Sequence, residues 1–170
     1  MNIWNPALLA RAFFFFSYPS MISGDKVWIA GMPDGFSQAT PLAEAAQGLP
    51  TTYDMSSMFW GLIPGSVGET STFCILLGAI LLIATGIGSW KIILSTFIGG
   101  YCMALLLNYT LPATNPYAAI TPITHLIMGG FAFGAVFMAT DPVTSAQTER
   151  GKWIYGFILG VMAILIRTLN

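Results

Sequence analysis

The sequence predicts an all-α integral membrane protein built as a multi-helix bundle. Two features of composition support this prediction: 55% of the 170 residues are hydrophobic, and only 8% are charged. A soluble domain carries about 25% charged residues, so this chain has too few charges to cover a water-exposed surface. Small residues are frequent in its apolar stretches and allow membrane helices to approach closely. We therefore expect a packed bundle rather than separate membrane anchors.

Five apolar stretches are candidate transmembrane helices. They are residues 5–22, 73–88, 92–111, 123–140 and 153–166, and Arg11 interrupts the first. A spanning helix needs about 20 mainly apolar residues, so the second and fifth stretches need flanking residues to reach across a bilayer. We treat residues 1–170 as one transmembrane domain, in which an outer segment, 23–72, precedes a helical bundle, 73–170.

Residues 56–71, SSMFWGLIPGSVGETS, are harder to place. Their apolar part is too short to span, and Pro64 and Gly65 interrupt it. Such a segment fits a re-entrant or broken helix, which membranes tolerate only inside protein or along a cavity. A surface helix followed by a loop explains the same residues equally well. Glu69 is a functional candidate with its neighbour Thr70, because a carboxylate at membrane depth is costly; the alternative is a helix-capping acid.

The basic residues predict the orientation, because cytoplasmic loops carry an excess of lysine and arginine. If the first span runs outward, four basic residues lie toward the cytoplasm and two toward the outside: Arg11, Lys91, Arg150 and Lys152 against Lys26 and Arg167. This places residues 23–72 on the outer face, which is the periplasmic side in a bacterium.

Composition also excludes some functions. The net charge is −1, so no basic surface is available for nucleic acid. Cys74 and Cys102 supply only half of the thiolates that an iron–sulfur cluster needs, and we expect them to be buried and inert. His125 is the only histidine and cannot form a metal site alone. We predict no metal site.

The polar stretch DGFSQATPLAEAAQG, residues 34–48, stands out in this apolar chain. Pro41 suits the first position of a helix, and Thr40 then becomes its N-cap. Gly48 suits the end of that helix. The simplest interpretation is that Thr40 caps a short interfacial helix. The functional alternative is that a phosphate esterified to the Thr40 hydroxyl lies at the positive end of the helix.

The motif DGFSQAT resembles the site at which a flavin transferase attaches FMN to threonine through its phosphate. The longer context resembles the B subunit of sodium-translocating NADH:quinone oxidoreductases, a family related to the D subunit of Rnf complexes. The stretches that carry the resemblance span most of the chain: ARAFFFFSYPSMISGDKVW, GSVGETS and HLIMGGFAFGAVFMATDPVTSAQTERGKWIYGFILGVMAILIR.

The resemblance implies a fold like half of a urea transporter, whose family has about ten helices. It implies covalent FMN on Thr40, with Asp34, Ser37 and Ala39 recognised by the transferase. It further implies a noncovalent riboflavin and a quinone acceptor. Electrons would pass from NADH-derived flavin and iron–sulfur carriers in neighbouring subunits towards quinone, coupled to Na⁺ transport across a bacterial inner membrane.

Within this picture Glu69, Thr70 and Asp141 become candidates for an ion path or a flavin contact. For Asp141 the alternative is a loop residue where a helix stops at Pro142. Gln38 departs from the family motif, which usually has glycine there, so it is expected to affect flavinylation efficiency. The chain is also shorter than the family, and we expect it to be part of a longer one, inactive alone.

Two other functions fit parts of the sequence. An electron-transfer protein of the Rnf type would have no direct quinone reduction. A channel or carrier of urea-transporter type would carry no flavin, and it predicts an unmodified, dispensable Thr40. A purely structural scaffold explains least, because the polar motif would then serve only to cap a helix.

Overall fold

The structure, a computed structural model, describes residues 4–22, 27–29, 36–38, 40–49, 53–66, 70–112 and 115–169. Most of these residues are helical, as predicted. The helices are α1 (Pro6–Ser17), α2 (Pro19–Ile22), α3 (Pro41–Ala46), α4 (Met55–Trp60), α5 (Thr72–Ala84), α6 (Trp90–Thr110), α7 (Pro122–Ile127), α8 (Phe131–Phe133) and α9 (Glu149–Leu169). A 3₁₀ helix, Pro116–Ala119, precedes α7, and a π-helical turn, Gly134–Met138, continues α8.

A short β-hairpin adds to the predicted all-α class. Strand β1 (Val27–Ile29) pairs antiparallel with β2 (Phe36–Gln38). The register places Trp28 opposite Ser37 and Val27 opposite Gln38. The strands have three residues each, which is too short for an alternating pattern to be recognised in the sequence.

Helices α6 and α9 have the length and apolar composition to cross a membrane, and no other helix in the described ranges has both. Each has 21 residues and is therefore about 31 Å long. They correspond to the third and fifth predicted spans. Trp90 stacks edge-on against Trp153 near their first turns, and Ala104 packs near Ile164 towards their last turns. The two helices are therefore parallel.

The other three predicted spans form shorter or interrupted helices. The first stops at Ser17 and resumes as α2 at Pro19, since proline disfavours helical backbone in the residue before it. The second forms only the 13 residues of α5. The fourth predicted span is interrupted. It consists of α7, then a break at Gly129 with φ of 66°, then α8 and the π-helical turn.

Three buried clusters hold these elements together. One joins α5 and α6 to the α8 segment through Ile75, Ile93 and Val136. The second joins α6, α9 and α8, around Ala104, Ile164 and Phe131. The third fixes the short helices α3 and α4 against the end of α7 through Ala45, Met58 and Met128. The helix that begins after Thr40 is thus anchored on a packed core.

The exposed residues of the α6–α9 pair change from charged at the start of both helices to apolar farther along. At the start of both helices, Glu149 forms ion pairs with Lys91 and Lys152. Farther along α9, large apolar side chains are exposed, among them Ile154, Ile158 and Ile166. An extended apolar surface of this kind needs lipid or a partner protein to cover it.

Candidate functional site

Thr40 lies in a cavity of about 210 Å³ that several distant segments build together. The segments are the start of α3 (residues 40–42), the irregular chain after α4 (residues 63–66), and the break between α7 and α8 (Gly129 and Gly130). Arg11 of α1 and Thr70 also line it. The end of the DGFSQAT motif, the segment broken by Pro64 and the interrupted fourth span therefore meet at one place.

Thr40 is the N-cap of α3, as the sequence predicted. Its backbone is extended, with φ of −72° and ψ of 156°, and Pro41 occupies the first turn. The Thr40 Oγ1 accepts a hydrogen bond from the backbone N–H of Ala43 at 3.2 Å. Beyond the helix, Gly48 has φ of 70°, which favours glycine. Because Thr40 is half-buried and lines the cavity, its hydroxyl lies between a packed helix and an open space.

Two glycines lie where the wall of this cavity leaves little room for a side chain. A Cβ atom on Gly65 would lie 2.7 Å from Cγ2 of Thr70. On Gly129 it would lie 3.0 Å from Cδ2 of Leu42, and the positive φ also favours glycine at this position. The Gly129–Gly130 pair indicates a possible helix break in the sequence. The residues on both sides are apolar, so the stretch was interpreted as a single span.

The candidate residues other than Asp141 separate into three groups. Thr40 and Thr70 line the same cavity. Ser37 lies in β2, three positions before Thr40. Asp34, Ala39 and Glu69 lie outside the described residues. The structure thus brings together two of the predicted site residues, and sequence reasoning missed Arg11 as a third member.

Arg11 reaches this cavity from a distant helix. The distribution of basic residues predicts Arg11 on the face opposite Thr40, yet both residues line one cavity. Helix α1 begins after Asn5, whose side-chain amide donates to the Asp141 carboxylate at 3.3 Å. Arg11 lies six residues farther on, or about 9 Å along the helix axis. Its side chain therefore reaches the Thr40 cavity from the middle of α1.

Asp141 lies away from the Thr40 cavity, beside a larger one of about 410 Å³. Its neighbours Thr140 and Pro142 line this second cavity, as does the Glu149 ion-pair group. Asp141 accepts hydrogen bonds from the Thr144 hydroxyl and from the Val143 backbone N–H. The Thr144 bond holds the pKa of the Asp141 carboxyl below its usual range, against a smaller opposing effect of burial.

The two cavities lie toward opposite ends of α9. Glu149, at its start, lines the larger cavity. Arg167, near its end, has Nη2 3.8 Å from the Cβ position of Gly129, which lines the smaller one. These two residues are 18 positions apart, or about 27 Å along a helix.

Arg167 and the buried residue His125 form a polar contact near the end of α9. The Arg167 Nη1 donates to the backbone carbonyl of His125 at 2.7 Å. The His125 ring is buried beside Tyr117, and its Nδ1 has no hydrogen-bond partner in the described part of the chain.

Comparison with known proteins identifies the family. A family model described as the NQR2, RnfD, RnfE family matches residues 1–170. The chain is similar to the B subunit of the Na⁺-translocating NADH-quinone reductase from three bacteria. The identity is 49% for Chromohalobacter salexigens, 47% for Pseudoalteromonas atlantica and 47% for Yersinia pestis, in each case over 99% of this chain.

The chain spans 42–43% of the length of these relatives. The alignment includes the motif around Thr40 and both long helices, since almost the whole chain is matched. The resemblance seen in the motifs is therefore confirmed over the full sequence: this chain belongs to the NQR2, RnfD, RnfE family.

Proposed function

We propose that this chain is the flavin-bearing part of the membrane-embedded B subunit of a Na⁺-translocating NADH:quinone reductase, with FMN esterified to Thr40. The observation that carries the proposal is the place of Thr40. It ends the motif DGFSQAT, and it lines a cavity bounded by glycines and apolar side chains. The ester would join Thr40 Oγ1 to the flavin phosphate, with overall loss of the elements of water.

The residues around Thr40 fit such a group. Leu42, Ile63 and Ile127 offer apolar contacts suited to an aromatic ring system, and Arg11, Ser66 and Thr70 offer hydrogen-bond donors. A bound flavin supplies the electron-transfer chemistry, and the protein contributes binding and orientation. The Ala45–Met58–Met128 cluster holds α3 in place. Thr40 is therefore attached to a rigid support, which fixes the attachment point of the cofactor.

The wider role follows from the relatives. They are named as the B subunit of a Na⁺-translocating NADH-quinone reductase, and we propose the same membership for this chain. Electrons would arrive from NADH-derived flavin and iron–sulfur carriers in partner subunits and leave through riboflavin towards quinone. The Thr40 cavity would face the periplasm of a bacterial inner membrane, where a flavin transferase reaches it. Catalysis would require the whole complex.

Asp141 and Thr70 take different places in this proposal. Thr70 lines the Thr40 cavity and is proposed as a flavin contact. Asp141 lies near the cavity at the other end of α9 and is proposed as an inner-face ion contact. Glu69 is proposed alongside Thr70 as its sequence neighbour. The separation of the cavities along α9 supports placing flavin attachment and ion entry on different sides.

The experiment is in-gel flavin fluorescence of membranes from bacteria that express this chain together with a flavin transferase. We expect fluorescence in the native chain, its retention in Thr40→Ser, and its loss in Thr40→Ala. Thr121 is a matched control, because it caps α7 through Oγ1 and precedes Pro122 in the same way, but lies outside the motif. Thr121→Ala should remain fluorescent.

A native chain without flavin, with the transferase active on a control substrate, would contradict the proposal. That result would favour the alternative function of a channel or carrier. Within an intact respiratory complex, Thr40→Ala should also abolish Na⁺-dependent quinone reduction by NADH, whereas Thr121→Ala should retain it.

A further inference from the structure

Arg11 lies in an unusual environment for a cation. It occupies the middle of α1, PALLARAFFFFS, in which it is the only charged residue. Its neighbours Phe13 and Phe14 are exposed on the same helix, so the helix presents an apolar surface. An arginine in an apolar membrane helix is costly, and such residues face protein or a cavity for a functional reason.

Within the described ranges, Arg11 is the only charged side chain that lines the Thr40 cavity. It also has no hydrogen bond or ion pair to any residue in those ranges. Arg167 approaches the same region near Gly129, but its Nη1 already donates to the His125 carbonyl. The described part of the cavity therefore contains one cation without an anionic partner.

The start of α3 does not supply an equivalent positive charge. The helix has only six residues, too few for a strong helix dipole. The N–H of Ala43 already donates to Thr40 Oγ1 at 3.2 Å. A phosphate ester on Thr40 would keep one negative charge, which a nearby cation would neutralise.

We propose that the Arg11 guanidinium is the counter-charge that binds the phosphate of the flavin ester on Thr40. This inference rests on the proposed function and adds to it a residue from a distant helix. Arginine suits the role because its planar group forms paired hydrogen bonds with phosphate oxygens. It explains why a cation lies on an apolar helix, since the cost of its charge is offset once the ester is formed.

The test is a thermodynamic cycle on the detergent-solubilised chain. Melting temperatures are measured for the native chain and Arg11→Gln, each with and without flavin on Thr40. Arg150→Gln is the control, because Arg150 is exposed at the start of α9 and does not line the cavity. In the unmodified chain we expect Arg11→Gln to be neutral or stabilising, because an unpaired charge is removed.

In the flavinylated chain we expect Arg11→Gln to lower the melting temperature by a few degrees, and Arg11→Lys to lower it less. Arg150→Gln should give the same shift in both forms. If Arg11→Gln also shifts the melting temperature equally in both forms, the role of Arg11 is refuted while covalent flavin on Thr40 stands. A native chain that never acquires flavin refutes the proposed function itself, and with it this inference.

Discussion

Gly160 of α9 lies directly against the backbone of Thr96 in α6. A Cβ atom built on Gly160 would be 2.1 Å from the Thr96 carbonyl oxygen and 2.7 Å from the backbone nitrogen of Gly100. The Thr96 hydroxyl turns back to donate to the Ile92 carbonyl at 2.8 Å, so the contact surface presents no unpaired hydroxyl at this residue. Close approach of two backbones at small residues is the usual basis of helix association in membranes.

We therefore predict that Gly160→Ala destabilises the chain by about 1–3 kcal/mol, since the added methyl group forces the parallel helices apart. The measurement is thermal or denaturant unfolding of the detergent-solubilised protein. Gly134→Ala is the control, because a Cβ atom there meets nothing within 4 Å. Equal stability of the Gly160→Ala and Gly134→Ala chains would show that α6 and α9 are farther apart at Gly160 than the structure indicates.

The cap at Thr40 should have its own effect on stability, apart from any cofactor. Thr40→Ala removes the acceptor of the Ala43 N–H, which should cost about 0.5–2 kcal/mol in the unmodified chain. Thr40→Ser keeps a hydroxyl and should lose much less. The same unfolding measurement on unmodified protein tests this. A Thr40→Ala chain as stable as the native one would mean that the hydroxyl does not cap α3.

The stability of the Asp141 loop should depend on pH. The Thr144 hydroxyl holds the pKa of Asp141 below the unfolded value of 3.8, so the ionised carboxylate stabilises the fold at pH values above 3.8. This contribution is lost as the pH falls through the lowered native pKa. Measured by melting temperature, the advantage of the native chain over Asp141→Asn should stay constant down to about pH 5 and disappear at lower pH.

Thr144→Val provides the matched control for this pH dependence. It removes the main hydrogen bond that lowers the Asp141 pKa, so the native pKa should rise towards the unfolded one. The pH-dependent part of the stability should then shrink. A Thr144→Val chain with the native pH profile would show that another group causes the pH dependence.

Gln38 should limit the efficiency of flavinylation. It is the last residue of β2, opposite Val27, and lies two positions before Thr40. Gln38→Gly matches the usual family motif, so we predict a larger flavinylated fraction at a fixed transferase level. Ser56→Gly, outside the motif on α4, should have no effect. An unchanged or smaller fraction in Gln38→Gly would show that the transferase tolerates glutamine.

Local features of the site could be predicted from the sequence. The cap at Thr40, the helix start at Pro41 and the glycine at position 48 depend on neighbouring residues only, and all three were confirmed. The long helices α6 and α9 were also predicted, because their apolar stretches are continuous. These features follow from rules that act within one or two helical turns.

The cavity could not be predicted, because it depends on contacts between distant segments. Arg11, Thr40 and Gly129 are far apart in the chain and meet only after packing. The break at Gly129 was missed because the residues around it remain apolar, and hydropathy does not distinguish a continuous helix from two halves. A Cβ atom on Gly129 would lie 3.0 Å from Cδ2 of Leu42 in α3, a tertiary proximity that no local pattern contains.

The most direct test of covalent flavin attachment is the mass of the chain after co-expression with an active flavin transferase, followed by peptide mapping. We predict a gain equal to FMN less one water, located on the peptide that contains Thr40 and absent from Thr40→Ala. An unmodified native chain, or a flavin located on any other residue, would contradict the assignment of Thr40 as the cofactor site.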